Sequence, residues 1–153
     1  MLINITNTDL DLSTEDPVRP AIPMSWRQQQ EIWAWIVDGQ REATVCVAWC
    51  DSVPDSEEVL LITPRGHKAV AYSIWSSRAG AGSKLITAVQ TKLQADPLCE
   101  GIFTVSPQTE LARKFHITNG ARIYRFNATT VNYQYRHDCA LAKEISGKKQ
   151  KYS

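Results

Sequence analysis

The chain has 153 residues, is 43% hydrophobic and carries a formal net charge of +1 at pH 7, so it can supply the core of one globular domain. Its Lys and Arg residues are scattered except in the ending GKKQKYS, which is unlike the basic surface of a nucleic-acid-binding protein. It has no apolar run of about eighteen residues, and the opening MLINITNTDLDLSTEDP is too polar and acidic for a secretory signal. We therefore expect a soluble, cytoplasmic protein with neither a nucleic-acid nor a membrane partner.

The cysteines do not have the spacing of a metal site. They lack both the paired C-x-x-C arrangement and an accompanying His-x-x-x-His, which zinc sites commonly use. We expect no metal, and free thiols in a reducing compartment. The four residues are Cys46, Cys50, Cys99 and Cys139.

The first part of the chain predicts an extended arm followed by a helix. Residues 1–24 contain prolines that disfavour helix at the positions before them, Pro17, Pro20 and Pro23. From Ser25, a candidate N-cap, the segment SWRQQQEIWAWIVDG places Ile32 and Ile36 on one stripe and ends at Gly39. This pattern is typical of an amphipathic helix.

Strands and helices alternate in the rest of the chain. The segments ATVCVAW (43–49) and AVAYSIW (69–75) alternate like strands, and VPDSEEVLLI between them fits either strand or helix. SKLITAVQTKL has helical spacing and ends before Pro97. GIFTV then predicts a strand, TELARKFH a helix, and ARIYRFN with TVNYQY a closing pair of strands. This order predicts one α/β or α+β domain over residues 25–145, followed by a basic tail over 146–153.

The junction SIWSSRAGAGSKLI is a candidate anion site. A predicted strand runs there into Gly80 and Gly82 and then directly into a helix. Glycine lets a ligand approach the backbone closely, and the first turn of a helix presents unpaired N–H groups to an anion such as pyrophosphate. The spacing fits neither a Walker loop nor a dinucleotide fingerprint. A glycine-rich connection without a ligand is the alternative.

This junction resembles the acyl-CoA-binding loop of the GNAT superfamily, in which Q/R-x-x-G-x-G/A joins the central strand to a helix. Ser77 stands here at the position of Gln or Arg. The resemblance implies an acyl-CoA N-acyltransferase (GNAT-like) fold, with a central mixed, mostly antiparallel sheet flanked by helices. It also implies that one loop holds the CoA phosphates, formed by Ser77, Arg78, Ala79, Gly80, Ala81, Gly82 and Ser83.

Further blocks resemble the catalytic domain of malonyl-CoA decarboxylase, a family with this acyltransferase fold. They are VAWCDSVPDSEEVLL, YSIWSS, GSKLI, FTVSP, FHITNGARIYRFN and VNYQYRHD, within residues 22–150. The family's long insertion is missing, since Ser106 and His116 are ten residues apart. The resemblance implies that these two residues form a catalytic pair, which converts malonyl-CoA into acetyl-CoA without a tightly bound cofactor. It leaves open whether the chain forms a homo-oligomer.

The chemistry suits these residue types. Loss of carbon dioxide from a malonyl thioester leaves an enolate, which needs a hydrogen-bond donor and a proton. An imidazole that titrates near neutral pH can deliver the proton, and a serine hydroxyl can donate to the enolate and orient the imidazole. Two structural alternatives remain open: Ser106 can cap a helix, and His116 can be a packing residue beside Phe115.

Two other functions stay open. An acyl-CoA-dependent N-acyltransferase would need a base in the central strands, where AVAYSIW and GIFTV contain no carboxylate. A non-catalytic CoA-binding or protein-binding module would need no catalytic pair at all. Among the remaining candidates, Tyr133 can face the acyl group or pack in the core, Asn119 with Gly120 is predicted to end a helix, and His67 and His137 are expected at the surface.

Overall fold

The computed structural model describes residues 1–137, and its strands within that range form one mixed sheet flanked by helices. The predicted basic tail and Cys139 lie outside these residues. The elements are β1 (Leu2–Asn4), α1 (Met24–Arg27), β2 (Glu31–Val37), β3 (Gln40–Cys50), α2 (Glu57–Ile62), β4 (Lys68–Ser76), α3 (Ala81–Gln94), β5 (Gly101–Thr104), β6 (Ser106–Pro107), α4 (Glu110–Thr118), β7 (Arg122–Phe126) and β8 (Thr130–Tyr135).

The eight described strands follow the order β1-β2-β3-β4-β5-β8-β6, and β7 pairs with β8. β4 and β5 are parallel, whereas the other neighbouring strands are antiparallel. The expected mixed, mostly antiparallel sheet is confirmed, as are the strands at 43–49 and 69–75. None of the helices in the described part of the chain is long and apolar enough to cross a bilayer.

The helix predicted from Ser25 to Gly39 is wrong beyond its first turn. α1 ends at Arg27, and β2 follows as a strand between β1 and β3. Asp38 and Gly39, with φ angles of 50° and 76°, form the two-residue turn from β2 to β3. Asp-Gly is the typical sequence of such a hairpin turn, because both positions need positive φ. The isoleucines and tryptophans of this segment suit a strand at least as well as a helix.

Residues 1–24 pack against the sheet. β1 pairs with β2, and farther along the chain Leu12 and Ile22 are fully buried. Nη1 of Arg27 lies 2.7 Å from Oδ2 of Asp16, and neither side chain is exposed. Oγ of Ser73 in β4 donates to the same carboxylate at 2.7 Å. The buried ion pair therefore joins this segment to α1, and the hydrogen bond from Ser73 joins it to β4.

Two apolar clusters cover the two faces of the sheet. Successive residues of β3 alternate between them, with Val45 in one cluster and Cys46 in the other. Leu85 of α3 belongs to the first cluster, and Leu60 of α2 belongs to the second. Residues 57–62 of the ambiguous segment VPDSEEVLLI thus form a helix on the second face, and residues 53–56 precede it. Cys46 and Cys50 are free thiols, as expected, and both are buried, as is Cys99.

The sheet opens between β4 and β5. Their parallel pairing ends where Ala71 lies opposite Thr104. The register of β4 against β3 shifts at Tyr72, a bulge that redirects the strand. Ser73–Ser76 then continue beside β3 without pairing to β5. Ser106 follows directly on the other side of this opening.

Candidate active site

The fold brings Ser106 and His116 into contact. Oγ of Ser106 lies 3.2 Å from Nε2 of His116, and each residue is only 4% exposed. β6 pairs with β8 and holds the serine, whereas α4 carries the histidine. Ser106 does not cap α4, because Oγ1 of Thr109 accepts the hydrogen bond from the N–H of Ala112. The helix-cap alternative for Ser106 is therefore wrong.

The end of α4 is formed as predicted. Asn119 is the C-cap, and Gly120 follows with a φ of 98°, a conformation that favours glycine. The N–H of Gly120 donates to the carbonyl of Ile117 at 3.1 Å, and that of Ala121 donates to the carbonyl of His116 at 3.0 Å. The turn holds the histidine at the last turn of the helix, facing the sheet.

Hydrogen bonds extend from both sides of the pair. The N–H of Tyr133 donates to Oγ1 of Thr104 at 3.1 Å, and Oγ1 of Thr104 lies 2.8 Å from Oγ of Ser106. On the other side, Nδ1 of His116 lies 2.7 Å from the hydroxyl of Tyr135. A neutral imidazole carries its proton on either nitrogen, so His116 can donate to Ser106 and accept from Tyr135, or the reverse. The arrangement can therefore pass a proton to or from Ser106.

The imidazole is neutral at neutral pH. Burial lowers the pKa of His116 to about 4. Burial also raises the pKa of Tyr135, which keeps its hydroxyl protonated. The expectation that His116 titrates near neutral pH is therefore wrong, because the folded protein shields the ring from water.

The lowered pKa of His116 makes the fold sensitive to acid. Since an unfolded histidine has a pKa of about 6.5, the unfolded chain binds one more proton than the folded chain between that pH and about 4. The contribution of His116 to the free energy of unfolding is thus fully present above about pH 6.5. It is lost on acidification through this window, which lowers that free energy by up to roughly 3 kcal/mol. Urea unfolding at a series of pH values measures the loss.

The His116→Gln variant should lack this part of the acid slope, and His67→Gln, which changes an exposed histidine, should retain it. A slope that survives in His116→Gln would show that another group binds the proton. Both variants are expected to fold, because Tyr133 remains beside residue 116 and His67 is exposed.

The predicted phosphate loop joins β4 to α3. Gly80 is the N-cap of α3 with a φ of 80°, and no side chain caps this helix. α2 and α4, in contrast, are capped by Ser56 and Thr109. The first turn of α3 contains no acidic residue, so its N–H groups and partial positive charge suit an anion. Ser77 to Gly80 are exposed, Ser83 is half-buried, and Ala81 and Gly82 are buried.

Phe115 connects this loop to the serine–histidine pair. A Cβ atom on Gly82 would lie 3.2 Å from Cε1 of Phe115, so the close packing depends on glycine. The Phe115 ring also meets the imidazole of His116 edge-on, with the ring centroids 5.2 Å apart. The predicted phosphate loop and the serine–histidine pair are therefore neighbours in space, although several elements of the chain separate them.

Sequence reasoning missed Tyr135 and Thr104. It considered Tyr133, which instead stacks on the imidazole with centroids 4.8 Å apart. Because alternate residues of a strand share a face, Tyr133 and Tyr135 both meet the histidine, a signal already present in the VNYQY block. His67 is exposed as expected, but His137 is buried, contrary to expectation. No group of three or more His, Cys, Asp or Glu residues within 1–137 is arranged to hold a metal ion.

No protein-family model matches the sequence, and no curated protein matches it. Solved structures do resemble it. A malonyl-CoA decarboxylase from Agrobacterium vitis has a TM-score of 0.73 and 18% sequence identity over 93% of this chain. The corresponding enzyme from Cupriavidus metallidurans has a TM-score of 0.65 and 17% identity over 95% of the chain. The chain spans 62% of the length of each of these two structures.

A third structure, the GphF GNAT-like decarboxylase in complex with isobutyryl-CoA, has a TM-score of 0.64 and 15% identity. It matches 88% of this chain and 98% of its own length. The protein therefore has the GNAT-like acyltransferase fold, as the sequence predicted. Its structural neighbours include malonyl-CoA decarboxylases and a GNAT-like decarboxylase.

Proposed function

We propose that the protein is an acyl-CoA decarboxylase that converts malonyl-CoA into acetyl-CoA and carbon dioxide. The observation that carries this proposal is the buried 3.2 Å contact between Ser106 and His116, next to a helix N-terminus suited to phosphate. The likeness to decarboxylases of the same fold supports it. The loop from Ser77 to Ser83 would hold the CoA phosphates, and the CoA thioester is the substrate.

The proposed reaction needs no carboxylate base. As the bond to the carboxylate breaks, its electron pair moves into the thioester, carbon dioxide leaves and an enolate forms. The hydroxyl of Ser106 supplies its proton to the enolate carbon, Nε2–H of His116 passes its proton to the serine oxygen, and Nδ1 of the imidazole takes up the proton of the Tyr135 hydroxyl. Solvent then replaces the one proton that the reaction consumes. Tyr135 holds the imidazole in the orientation that this exchange requires.

N-acyl transfer is the second candidate, because N-acetyltransferases are also among the structural neighbours. One of them, the PaiA N-acetyltransferase from Thermoplasma acidophilum in complex with coenzyme A, has a TM-score of 0.51 and 8% identity over 69% of this chain. A transferase would need a base near the thioester. Within residues 1–137, Asp16 is a buried carboxylate beneath β4, and its oxygens already contact Arg27 and Ser73. A non-catalytic binding module is the remaining alternative.

The free, buried thiols favour a reducing compartment, and we place the protein in the cytoplasm.

Incubation of the purified full-length chain with malonyl-CoA tests the proposal. Mass spectrometry should detect acetyl-CoA formed in proportion to enzyme and time, with one carbon dioxide released per acetyl-CoA. Malonyl-CoA without protein measures the spontaneous background. Saturable CoA binding without any acetyl-CoA would overturn the decarboxylase proposal and favour a transferase or a binding module.

A further inference from the structure

The guanidinium of Arg19 lies across the opening between β4 and β5. Its Nε donates to the carbonyl of Tyr72 at the bulge of β4, at 3.4 Å, and its Nη2 donates to the carbonyl of Val105 at 3.0 Å. Val105 directly precedes Ser106 in the chain. A positive charge, with only 11% of its side chain exposed, therefore stands beside the segment that carries the proposed catalytic hydroxyl.

The buried ion pair of Asp16 and Arg27 holds the backbone of Arg19 in place. Its N–H donates to Oδ1 of Asp16 at 3.1 Å, and its carbonyl accepts from Nη2 of Arg27 at 2.6 Å. Neither Asp16 nor Arg27 has an exposed side-chain atom, so their relative position is set by close packing. The guanidinium is thus positioned before any ligand arrives, which lowers the entropy cost of binding.

The positive charge of Arg19 has only one weak ionic contact among the described residues. Oε1 of Glu57 lies 3.4 Å from Nη1, and 27% of the Glu57 side chain is exposed. In contrast, Arg41 contacts both carboxylate oxygens of Glu15. A guanidinium has five N–H donors, and the described bonds of Arg19 use one each on Nε, Nη1 and Nη2. Its terminal nitrogens can therefore donate to a second carboxylate.

We infer that Arg19 binds the free carboxylate of the acyl group and so selects CoA thioesters of short dicarboxylic acids. This inference rests on the proposed acyl-CoA site and names its substrate class. A carboxylate that enters the opening displaces Glu57 from Nη1. Away from water, charged hydrogen bonds are strong, so the site discriminates against a neutral acyl group of similar size.

Arg19 acts on substrate binding and not on bond breaking. The guanidinium stabilises the carboxylate, which is the charge that disappears as carbon dioxide leaves, so it cannot favour the transition state over the bound substrate. Loss of Arg19 is therefore expected to raise KM for malonyl-CoA with little fall in kcat. If Arg19 only held β4 and β5 together, its loss would alter the geometry of the site and so change both KM and kcat.

Calorimetry of full-length protein in a Ser106→Ala background, which suppresses turnover, tests this. Arg19→Gln should weaken malonyl-CoA binding about tenfold or more and acetyl-CoA binding by less than about twofold. Glu57→Gln should do the opposite and tighten malonyl-CoA binding by roughly two- to fivefold, since the competing carboxylate is gone. Arg19→Lys keeps the charge and should retain part of the discrimination between the two thioesters. It replaces Arg19→Gln in this test if that variant does not fold.

Equal weakening of both thioesters by Arg19→Gln would overturn the inference, and so would Glu57→Gln without any gain for malonyl-CoA. Turnover of the chain with Ser106 intact separates this result from the proposed function. Selective malonyl-CoA binding without acetyl-CoA formation would support the inference and overturn the decarboxylase proposal. Acetyl-CoA formation with unchanged discrimination in Arg19→Gln would support the decarboxylase proposal and overturn the inference about Arg19.

Discussion

Replacement of His116 by alanine is expected to lower acetyl-CoA formation from malonyl-CoA by a factor of about 10² to 10⁴, the usual contribution of a positioned acid–base group. In the proposed mechanism the imidazole returns a proton to Ser106 across the 3.2 Å contact, and no other described side chain at hydrogen-bond distance from Oγ is an imidazole or a carboxylate. CoA affinity should change by less than about twofold, since the phosphate loop is left intact. Initial rates by mass spectrometry and CoA titration measure the two quantities.

His67→Ala and Ser106→Ala are the control variants for His116→Ala. His67→Ala removes an exposed histidine, and turnover should stay at the level of the unaltered protein. Ser106→Ala should fall as far as His116→Ala, and the double variant should fall little further, because the two groups act as one unit. Turnover that persists in His116→Ala would contradict the proposed role and favour the packing interpretation of the histidine.

Local chemistry predicted most of the described elements. Gly80 with Gly82 predicted the strand-to-helix loop, and Gly120 predicted the end of α4. The helix from Ser25 to Gly39 failed because its isoleucines and tryptophans satisfy both a helical and a strand period. Asp38 before Gly39 was the deciding signal, since a hairpin turn explains both residues and a helix end explains only the glycine.

Contacts near the candidate site join distant parts of the chain. Arg19 reaches Val105, which is 86 residues away, and Ser73 reaches Asp16, which is 57 residues away. Sequence patterns report neighbours within one helix or strand, so they carry no signal for such pairs. The lowered pKa of His116 was equally hidden, because it follows from burial by Tyr133 and Phe115 and not from local sequence.

The Asp16→Asn variant is expected to lose about 3–5 kcal/mol of unfolding free energy, because it leaves the charge of Arg27 buried without its partner. Asp16 also accepts hydrogen bonds from Ser73 and from the N–H groups of Val18 and Arg19. An amide of the same size keeps the volume and some of the hydrogen bonds, so the loss reports mainly the charge. Urea unfolding at neutral pH measures the difference.

The neighbouring Glu15→Gln variant is the matched control. Glu15 pairs with Arg41 at the surface, where 40% of its side chain is exposed, so its loss should cost only about 0–1 kcal/mol. Adding Arg27→Met to Asp16→Asn should recover part of the stability, because the unpaired cation is then removed. Equal losses in Asp16→Asn and Glu15→Gln would show that Arg27 does not need its buried partner. If the pair also positions Arg19, folded Asp16→Asn protein should lose malonyl-CoA affinity selectively and keep its affinity for acetyl-CoA.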